Sequence, residues 1–314
     1  MDRFDAMQAF ARVVETGSFT KAAETLHMSR TSVTQSVQQL EARLRVRLLN
    51  RTTRKVGVTV DGAAYYERVV RLLADLDDAE TSLPGASALP RGRLRVDVPS
   101  PFASTILIPA LPAFQARYPD IQLQLGVSDR MVDLIDDYVD CVVRGGEITH
   151  QSLVARHIGD LALGVYASPG YLAQAGVPAH PLDLEAPCHR VVGFSLSRTR
   201  RVLPCTLQRH GKRIEIQARQ PLVVDDGNAY LAAGLAGLGA LWLPVYMAEA
   251  HEARGELVAL FPEWQIDPMS LSLAFPANRH VSAKLRVFID WVVDLVARHV
   301  PVGAPPRVHR SESA

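Results

Sequence analysis

The segment from Ser29 to Leu44 constrains the fold of this 314-residue chain more strongly than any other. Apolar residues recur in it at steps of four, three and four residues, at Val33, Val37, Leu40 and Leu44. This period marks a single buried stripe on a helix, and Ser29 is a typical N-cap residue for its first turn. The pattern therefore predicts an amphipathic helix with one face packed inside a domain.

The opposite face of this predicted helix is polar but uncharged. At about 100° per residue it presents two threonines and two glutamines, whereas a solvated helix face usually carries Lys and Glu. In the major groove of DNA, Gln can pair with adenine and Thr can contact the thymine methyl group. The pattern favours base recognition, and a merely polar surface helix remains the alternative. The candidate DNA contacts on this helix are Ser29, Arg30, Thr31, Thr34, Gln35 and Gln38.

Two shorter helices are predicted before this one. Apolar residues recur at steps of three and four over Phe4–Val14, and Gly17 can end that helix in a left-handed turn. Ser18 can cap a second helix over Phe19–Leu26, and a tight turn at His27-Met28 separates it from the third. Three short helices joined by tight turns are typical of a helix-turn-helix domain.

A basic loop between two short apolar segments follows the third helix. The segments Val46–Leu49 and Val56–Thr59 are predicted strands, so the region has the pattern of a wing. Its cations suit DNA phosphates or the minor groove, and its threonines can donate to phosphate oxygens. Residues 1–60 contain ten Lys or Arg against five Asp or Glu, although the whole chain has a net charge of only +1. Such a basic block is the electrostatic signature of a nucleic-acid partner. The candidate contacts in the loop are Arg51, Thr52, Thr53, Arg54 and Lys55.

A longer helix is predicted after the wing, with Thr59 as its cap and Asp61 in its first turn. Its apolar residues are spaced by three, four, three and seven, which is a short heptad seam. The seam can pair two copies of the chain, or it can pack on its own domain. Its members are Tyr66, Val69, Leu73, Leu76 and Leu83.

From Gly92 onward, predicted strands and helices alternate, which indicates a parallel or mixed α/β sheet. The predicted strands are Leu94–Val98, Ile121–Val127, Asp140–Val143, Leu161–Tyr166, Val191–Phe194, Leu222–Val224 and Leu241–Leu243. The predicted helices are Ile106–Tyr118, Met131–Tyr138, Asn228–Ala236 and Ser282–Val300. The predicted domains are a winged helix-turn-helix over 1–60, a linker helix over 61–84, a hinge over 85–91, an α/β domain over 92–300 and a disordered tail over 301–314.

An ordered series across the first sixty residues resembles the DNA-binding domain of the LysR-type transcriptional regulators. The series is Phe10, Gly17-Ser18-Phe19, Ala22-Ala23, Leu26-His27-Met28-Ser29, Ser32-Val33-Thr34, Val37, Leu40-Glu41, Leu44, Leu48-Leu49, Arg51-Thr52-Thr53-Arg54, Thr59 and Gly62. Three departures are that Arg45 stands where the family usually has Gly, Leu49 where it has Phe, and Val60-Asp61 where it has Glu-Ala.

The second part of the chain resembles the family's effector domain less tightly. The matching residues are Leu107, Pro109, Leu111-Pro112, Phe114, Tyr118-Pro119, Gly234–Ala240 and Leu243-Pro244. The resemblance implies an α/β effector domain of two Rossmann-like lobes, similar to periplasmic solute-binding proteins. The expected lobes are 92–161 with 268–300, and 162–267. It also implies a homodimer or homotetramer that binds promoter DNA and a small-molecule effector, with RNA polymerase as a further partner.

An effector cleft is expected beyond the carboxyl ends of the strands, as in open α/β sheets. The Ser100 hydroxyl and nearby N–H groups can hold an anion, or Ser100 can simply cap its helix. Arg144 can hold a carboxylate, or it can form a surface ion pair. We therefore expect an organic anion as the effector. The candidate cleft residues are Ser100, Pro101, Phe102, Ser128, Arg144, Gly145, Gly146, Phe194 and Asp226.

Other functions are less well supported by the residues. The cysteines Cys141, Cys188 and Cys205 have no zinc-binding spacing, and no catalytic constellation can be argued, so we expect no metal, cofactor or enzyme activity. No apolar run approaches a membrane span and no signal-peptide core opens the chain, which predicts a cytoplasmic protein. A solute-binding module with incidental DNA affinity, an α/β enzyme and a DNA-binding protein without a ligand are the alternatives.

Overall fold

The computed structural model describes residues 2–51, 56–81, 90–129, 139–146, 148, 153–196, 201–277 and 281–299. The chain forms two compact units, residues 1–88 and 89–314. Several predicted features lie outside the described residues: the wing tip Thr52–Lys55, Leu83, most of the hinge, the helix Met131–Tyr138 and the tail from 301.

The N-terminal unit consists of four helices and a two-stranded sheet. Its elements are α1 (Arg3–Thr16), α2 (Phe19–Thr25), α3 (Arg30–Leu44), β1 (Leu49–Arg51), β2 (Val56–Val58) and α4 (Val60–Thr81). Phe10 of α1 and Val33 and Val37 of α3 are fully buried in one core, so the apolar stripe of α3 faces its own domain. Gly17 ends α1 with φ 63°, and Ser29 caps α3 by accepting from the Ser32 N–H at 3.0 Å.

The wing is shorter than predicted on its first side. Its strand begins at Leu49 rather than Val46, because α3 ends in a left-handed residue, Arg45 with φ 55°. The chain then turns, with the Val46 N–H bonded to the Glu41 carbonyl. β1 and β2 pair antiparallel, with Leu49 opposite Val58.

The predicted heptad seam on α4 is divided between two roles. Val69 is 0% exposed in the core of the N-terminal unit, and Tyr66 and Leu73 pack against the same core. These three residues therefore pack on their own domain, which is the second of the two alternatives that the sequence left open. Leu76, which follows Val69 by seven residues on the same side of the helix, is 38% exposed, and Leu72 is 50% exposed.

The second unit contains thirteen described strands and six described helices, with one π-helical and one 3-10 segment. The strands are β3 (Gly92–Val98), β4 (Ile121–Val127), β5 (Cys141–Gly145), β6 (Leu153–Leu161), β7 (Leu163–Ala167), β8 (Val192–Phe194), β9 (Cys205–Arg209), β10 (Lys212–Ile216), β11 (Leu222–Val224), β12 (Leu241–Pro244), β13 (Val258–Leu260), β14 (Gln265–Ile266) and β15 (Met269–Pro276). The helices are α5 (Ser100–Phe102), α6 (Ile108–Arg117), α7 (Pro169–Ala175), α8 (Gly227–Leu235), α9 (Val245–Ala253) and α10 (Ala283–His299). The π-helical segment, Ala103–Leu107, joins α5 to α6, and the 3-10 segment is Pro181–Glu185.

The first lobe is built on a five-stranded mixed sheet in the order β4-β3-β5-β15-β6. β3 pairs parallel with β4 and β5, so these three strands end at the same edge. β15 pairs antiparallel with β5 and β6 and brings the chain back into this sheet late in the sequence. The core lies between the sheet and the helices, where Phe114 of α6 meets Phe288 of α10 edge-on at 5.8 Å between ring centroids.

The second lobe contains three smaller sheets, in the orders β12-β7-β13, β11-β8 and β10-β9-β14. Two cores lie within it, one around Tyr171 and Leu207 and the other around Tyr166 and Tyr230. β8 and β11 pair parallel, so Phe194 and Val224 end at the same edge.

Several elements of this unit differ from the sequence prediction. The single strand predicted over Leu161–Tyr166 is the junction of β6 and β7, where the chain passes between lobes. The helical region predicted from Ile106 begins at Ser100, in α5. The β9–β10 hairpin was not predicted. Its turn contains His210-Gly211, which both have positive φ, as a two-residue type I′ turn requires.

Candidate DNA interface and ligand cleft

The polar face of α3 is presented to solvent. Thr31, Gln35 and Gln38 are exposed, while the buried stripe lies on the other side of the helix. Thr34 is half-buried, and its hydroxyl donates to the Arg30 carbonyl at 2.8 Å. The Thr34 hydroxyl proton is thus used within the helix, whereas the two exposed glutamines each carry an amide with donor and acceptor atoms.

The start of α3 combines a cap with a positive charge. The hydroxyl of Ser29 lies 2.8 Å from that of Ser32 and also accepts from the Ser32 N–H. Arg30 follows at the first helical position and is exposed. A helix N-terminus with an exposed Arg favours phosphate contact, because both carry positive charge toward solvent.

The base of the wing is in the described structure and its tip is not. The backbone of Arg51 ends β1, opposite Val56 of β2. Thr52, Thr53, Arg54 and Lys55 lie outside the described residues. The predicted wing contacts therefore begin at the last residue of β1, a strand whose first residue, Leu49, is buried in the N-terminal core.

In the second unit, several predicted cleft residues follow strand ends of the two lobes at the place where the lobes meet. Ser100 and Pro101 follow β3, and Ser128 follows the parallel strand β4. Asp226 follows β11 in the second lobe and caps α8, where its Oδ1 accepts from the Ala229 N–H at 2.8 Å. The two lobes meet at these positions.

Ser100 lies between two carboxylates, one from each lobe. Its hydroxyl is 3.0 Å from Asp129 Oδ2 and 2.7 Å from Asp226 Oδ2, and its N–H donates to Asp129 Oδ1 at 3.1 Å. Asp129 Oδ2 also accepts from the Gly227 N–H of the second lobe at 2.5 Å. Ser100 itself is 7% exposed. The lobes are therefore joined here by direct hydrogen bonds.

This arrangement corrects the prediction that the Ser100 region holds an anion. The Ser100 N–H and hydroxyl both point at carboxylates of the chain, and a further negative charge would be repelled there. Ser100 is also not the cap of its helix, since Pro99 holds that position. Neither of the two predicted roles of Ser100 describes its contacts.

Arg144 forms an ion pair inside the first lobe, rather than presenting its guanidinium to an anionic ligand. Its guanidinium donates to Asp97 Oδ1, and the two side chains are only 12% and 9% exposed. Nη1 donates to the Val143 carbonyl at 2.9 Å. Gly126 lies opposite Asp97 in the neighbouring strand, where a Cβ would overlap its carboxylate. The Arg144 guanidinium therefore already pairs with a carboxylate of the chain. Both groups that were expected to bind an organic anion, at Ser100 and at Arg144, have carboxylate partners within the chain.

The remaining predicted cleft residues are distributed along the same edges. Ser128 is half-buried, and its N–H donates to the Val98 carbonyl at 3.0 Å. Gly145 lies beside Met269, and the Gly146 N–H donates to the Ser270 carbonyl at 2.7 Å.

The aromatic candidates are packed inside the two lobes. Phe102 is buried in the core of the first lobe. In the second lobe, Phe194 stacks edge-on against Tyr230 at 5.4 Å between ring centroids. Phe102, at 1% exposed, is thus a core residue rather than the predicted cleft residue, whereas Phe194 is half-buried at the end of β8.

Two acidic residues of this region were missed by the sequence analysis. Asp129 follows Ser128 directly, so the strand-end argument that selected Ser128 could have selected it as well. Asp97 lies between the buried residues Val96 and Val98, where a single acid in a buried strand signals an internal partner.

A tyrosine near this lobe contact is electrostatically coupled to it. Tyr246, in the first turn of α9, packs against the cores of both lobes. Burial raises the pKa of its phenol, and the Asp129 carboxylate raises that pKa further. Tyr246 therefore stays an uncharged hydrogen-bonding group at any physiological pH.

The chain matches two known domain families over most of its length. Residues 4–63 match the bacterial regulatory helix-turn-helix domain of the lysR family, and residues 87–297 match the LysR substrate binding domain. The chain belongs to the LysR family of transcriptional regulators. This LysR-type protein therefore pairs a helix-turn-helix DNA-binding domain with an effector-binding domain, and it regulates transcription.

Relatives of this LysR-type regulator include proteins of opposite regulatory sign. It is 38% identical over 306 residues to a transcriptional repressor of Pseudomonas aeruginosa, covering 98% of this chain and 96% of the relative. It is similar to the structure of CrgA from Neisseria meningitidis, with 32% identity, a TM-score of 0.58 and coverage of 92% and 97%. It is also similar to the virulence activator AphB of Vibrio cholerae, with 28% identity, a TM-score of 0.58 and coverage of 94% and 99%.

No helix in the described part of this LysR-type regulator has the length and hydropathy of a membrane span. In the same part of the chain, no three His, Cys, Asp or Glu side chains are grouped as metal ligands would be.

Proposed function

We propose that this regulator reads bases with the exposed face of α3 and holds the DNA backbone with its wing. The observation that carries the proposal is the face itself: Thr31, Gln35 and Gln38 are exposed and uncharged on a helix whose other side is buried. Side-chain amide and hydroxyl groups can match the donor and acceptor pattern that each base pair presents in the major groove. Ser29, Arg30 and the wing residues supply the contacts to phosphate.

Substitution of Gln35 tests the base-reading role. We expect Gln35→Ala to lose preference for operator DNA over shuffled DNA, by about 1–3 kcal/mol, which is the contribution of one bidentate pairing with a base. Binding is measured with DNA from immediately upstream of the chain's own coding sequence and with the same sequence shuffled.

Gln8→Ala is the matched control, because Gln8 is an exposed glutamine on α1, outside the proposed interface. A Gln35→Ala protein that still prefers the upstream DNA as the wild type does would contradict the assigned face.

The effector is proposed to act between the two lobes, where Ser100 and Pro101 of one meet Asp226 of the other. Ser128, Phe194 and the strand end at Gly145-Gly146 would form the surrounding walls. A small molecule shifts the lobe arrangement only by binding one arrangement better than the other. We therefore propose that it favours or disfavours the hydrogen bonds from Ser100 to Asp226 and from Gly227 to Asp129.

A homodimer or a larger homo-oligomer is the proposed assembly. Leu72 and Leu76 are one helical turn apart on α4 and both exposed, which supports a partner on that side. Two copies would read two half-sites and reach the selectivity that one helix-turn-helix lacks. We propose further that the oligomer acts in the cytoplasm, at chromosomal promoters, with RNA polymerase as a partner.

A further inference from the structure

The wing is tied to the recognition helix through the side chain of Glu41. Glu41 lies in α3, and its Oε1 accepts hydrogen bonds from the backbone N–H groups of Leu48 at 2.8 Å and Leu49 at 3.0 Å. Leu49 is the first residue of β1, and both leucines are buried. Two adjacent N–H groups that converge on one oxygen depend on the length of that side chain and on its acceptor atom. This contact ties the start of the wing strand to α3.

The same short segment is held from its carbonyl side by the start of α4. The Leu48 carbonyl accepts from the Thr59 N–H at 3.0 Å and from the Thr59 hydroxyl at 3.2 Å, and the Arg47 carbonyl lies 2.8 Å from that hydroxyl. Gly62 approaches so closely that a Cβ there would overlap the Leu48 carbonyl oxygen. The peptide groups of Leu48 thus join α3 on one side and α4 on the other.

We propose that Glu41 is a positioning residue for DNA binding, which sets the place of the wing relative to the recognition face of α3. The inference rests on the proposed DNA interface and adds a residue to it. Glu41 acts through Leu48 and Leu49 and touches no DNA. Without its carboxylate, two N–H groups at the start of β1 lose an acceptor. The strand then shifts, and its last residue, Arg51, moves away from the phosphates.

Three variants separate the hydrogen bonds from the charge. Glu41→Ala removes the acceptor altogether. Glu41→Asp keeps the charge but shortens the side chain by one methylene, so the carboxylate withdraws from the two N–H groups. Glu41→Gln keeps the length and an Oε1 acceptor but removes the charge. Glu24→Ala is the control for removal of a negative charge, because Glu24 is exposed on α2 of the same basic unit.

The measurement is the salt dependence of DNA binding by the full chain, on the upstream duplex and on its shuffled version. Each phosphate that the wing no longer neutralises lowers the slope of log affinity against log salt by about 0.9. We expect this decrease in Glu41→Ala and Glu41→Asp, with equal weakening on both duplexes because backbone contacts carry no sequence information. Glu41→Gln and Glu24→Ala should keep the wild-type slope.

The outcomes distinguish three situations. A wild-type slope in Glu41→Asp and Glu41→Ala, even with a lower melting temperature, would show that Glu41 only stabilises the fold. A reduced slope in Glu41→Gln would show that the charge acts rather than the hydrogen bonds, which also overturns the proposal. If Glu41→Ala does not fold, the comparison of the salt slopes of Glu41→Asp and Glu41→Gln decides whether Glu41 positions the wing. A wild-type protein with no salt-dependent DNA binding would instead contradict the proposed function itself.

Discussion

Arg45 ends α3 in a backbone conformation that residues with a Cβ rarely adopt. Its φ of 55° and ψ of 29° lie in the left-handed region, where helices most often end in Gly. Hydrogen bonds of the turn hold this conformation: the Arg45 N–H bonds to the Ala42 carbonyl, and the chain then turns toward Leu48. The positive charge of Arg45 therefore comes at a conformational cost.

Replacement of Arg45 measures that cost. We expect Arg45→Gly to raise the free energy of unfolding by about 1 kcal/mol, because a left-handed residue with a Cβ costs roughly 1–2 kcal/mol and the extra freedom of unfolded Gly offsets part of it. Chemical denaturation gives the value. Arg45→Ala, which keeps the Cβ and loses the charge, should remain near the wild type. A Gly variant less stable than the Ala variant would mean that the turn carries no strain, because only the extra freedom of unfolded Gly would then act.

Elements with a local cause were predicted well, and elements that depend on distant partners were not. The caps and apolar period of α3 are written within about fifteen residues, and Ser29, Val33 and Leu40 take their predicted places. β15 was missed although Leu271 and Leu273 alternate with serines, because its central place in the sheet comes from pairing with β5 and β6 far earlier in the chain.

The candidate cleft shows the same limit at the level of single contacts. The strand-end rule located Ser100 and Asp226, which do meet, but they meet each other. The partner of Arg144 is Asp97, 47 positions away, and no spacing pattern announces such a pair. A residue type can therefore suggest a ligand, while only the fold shows whether that residue is already satisfied.

The α4 helix shows how one apolar period can contribute to two different surfaces along a helix. The first part of the predicted seam, through Val69 and Leu73, packs on the core of its own domain, whereas Leu76, a later member of the seam, is exposed near Leu72. We expect the double substitution Leu72→Asp and Leu76→Asp to shift the protein toward monomer, because two charges in an apolar interface are costly to desolvate. Sedimentation at several protein concentrations measures the shift.

A substitution in the buried side of α4 serves as the control for that experiment. Val69→Ala should lower the free energy of unfolding by about 1–3 kcal/mol, because it removes two buried methyl groups from the core, with the oligomer retained. If the Leu72 and Leu76 double variant keeps the wild-type assembly, the subunit interface lies elsewhere on the chain.

At the scale of the whole molecule, each lobe has its own core and its own buried thiol. Cys141 lies in the core of the first lobe and Cys205 in a core of the second, whereas Cys188 is exposed. Burial raises the pKa of both buried thiols, to about 12 for Cys205, and the nearby Asp140 raises that of Cys141 further. The two buried thiols lie in separate cores, so they are reporters of separate lobes.

Thiol labelling of the native protein should therefore proceed in two stages. We expect one equivalent to react quickly at about pH 8, at Cys188, and all three thiols to react after unfolding. Mass spectrometry of the labelled peptides identifies each site, and a Cys188→Ser variant should abolish the fast stage. Fast labelling of Cys205 in the native protein would show that the second lobe opens readily.

The raised pKa of Cys205 also has a consequence for stability in alkali. An unfolded thiol releases its proton above about pH 9, whereas the folded thiol holds it up to about pH 12. The unfolded state is therefore favoured progressively as pH rises across that window, and the stability contributed at lower pH is lost. A Cys205→Ala variant should show a shallower decline of the unfolding free energy over the same range.

The burial of Val69 in the N-terminal unit bears on how specificities can be recombined among such proteins. A hybrid that joins the first sixty residues of one regulator to the remainder of another would place foreign side chains against Phe10 and its neighbours, because Tyr65 and Tyr66 also stack on that ring. The segment that should be exchanged as one unit therefore extends through Leu73, the last described α4 residue packed on this core. A hybrid joined after Leu73 keeps the whole N-terminal core from one protein, whereas a hybrid joined at the wing divides that core between two proteins.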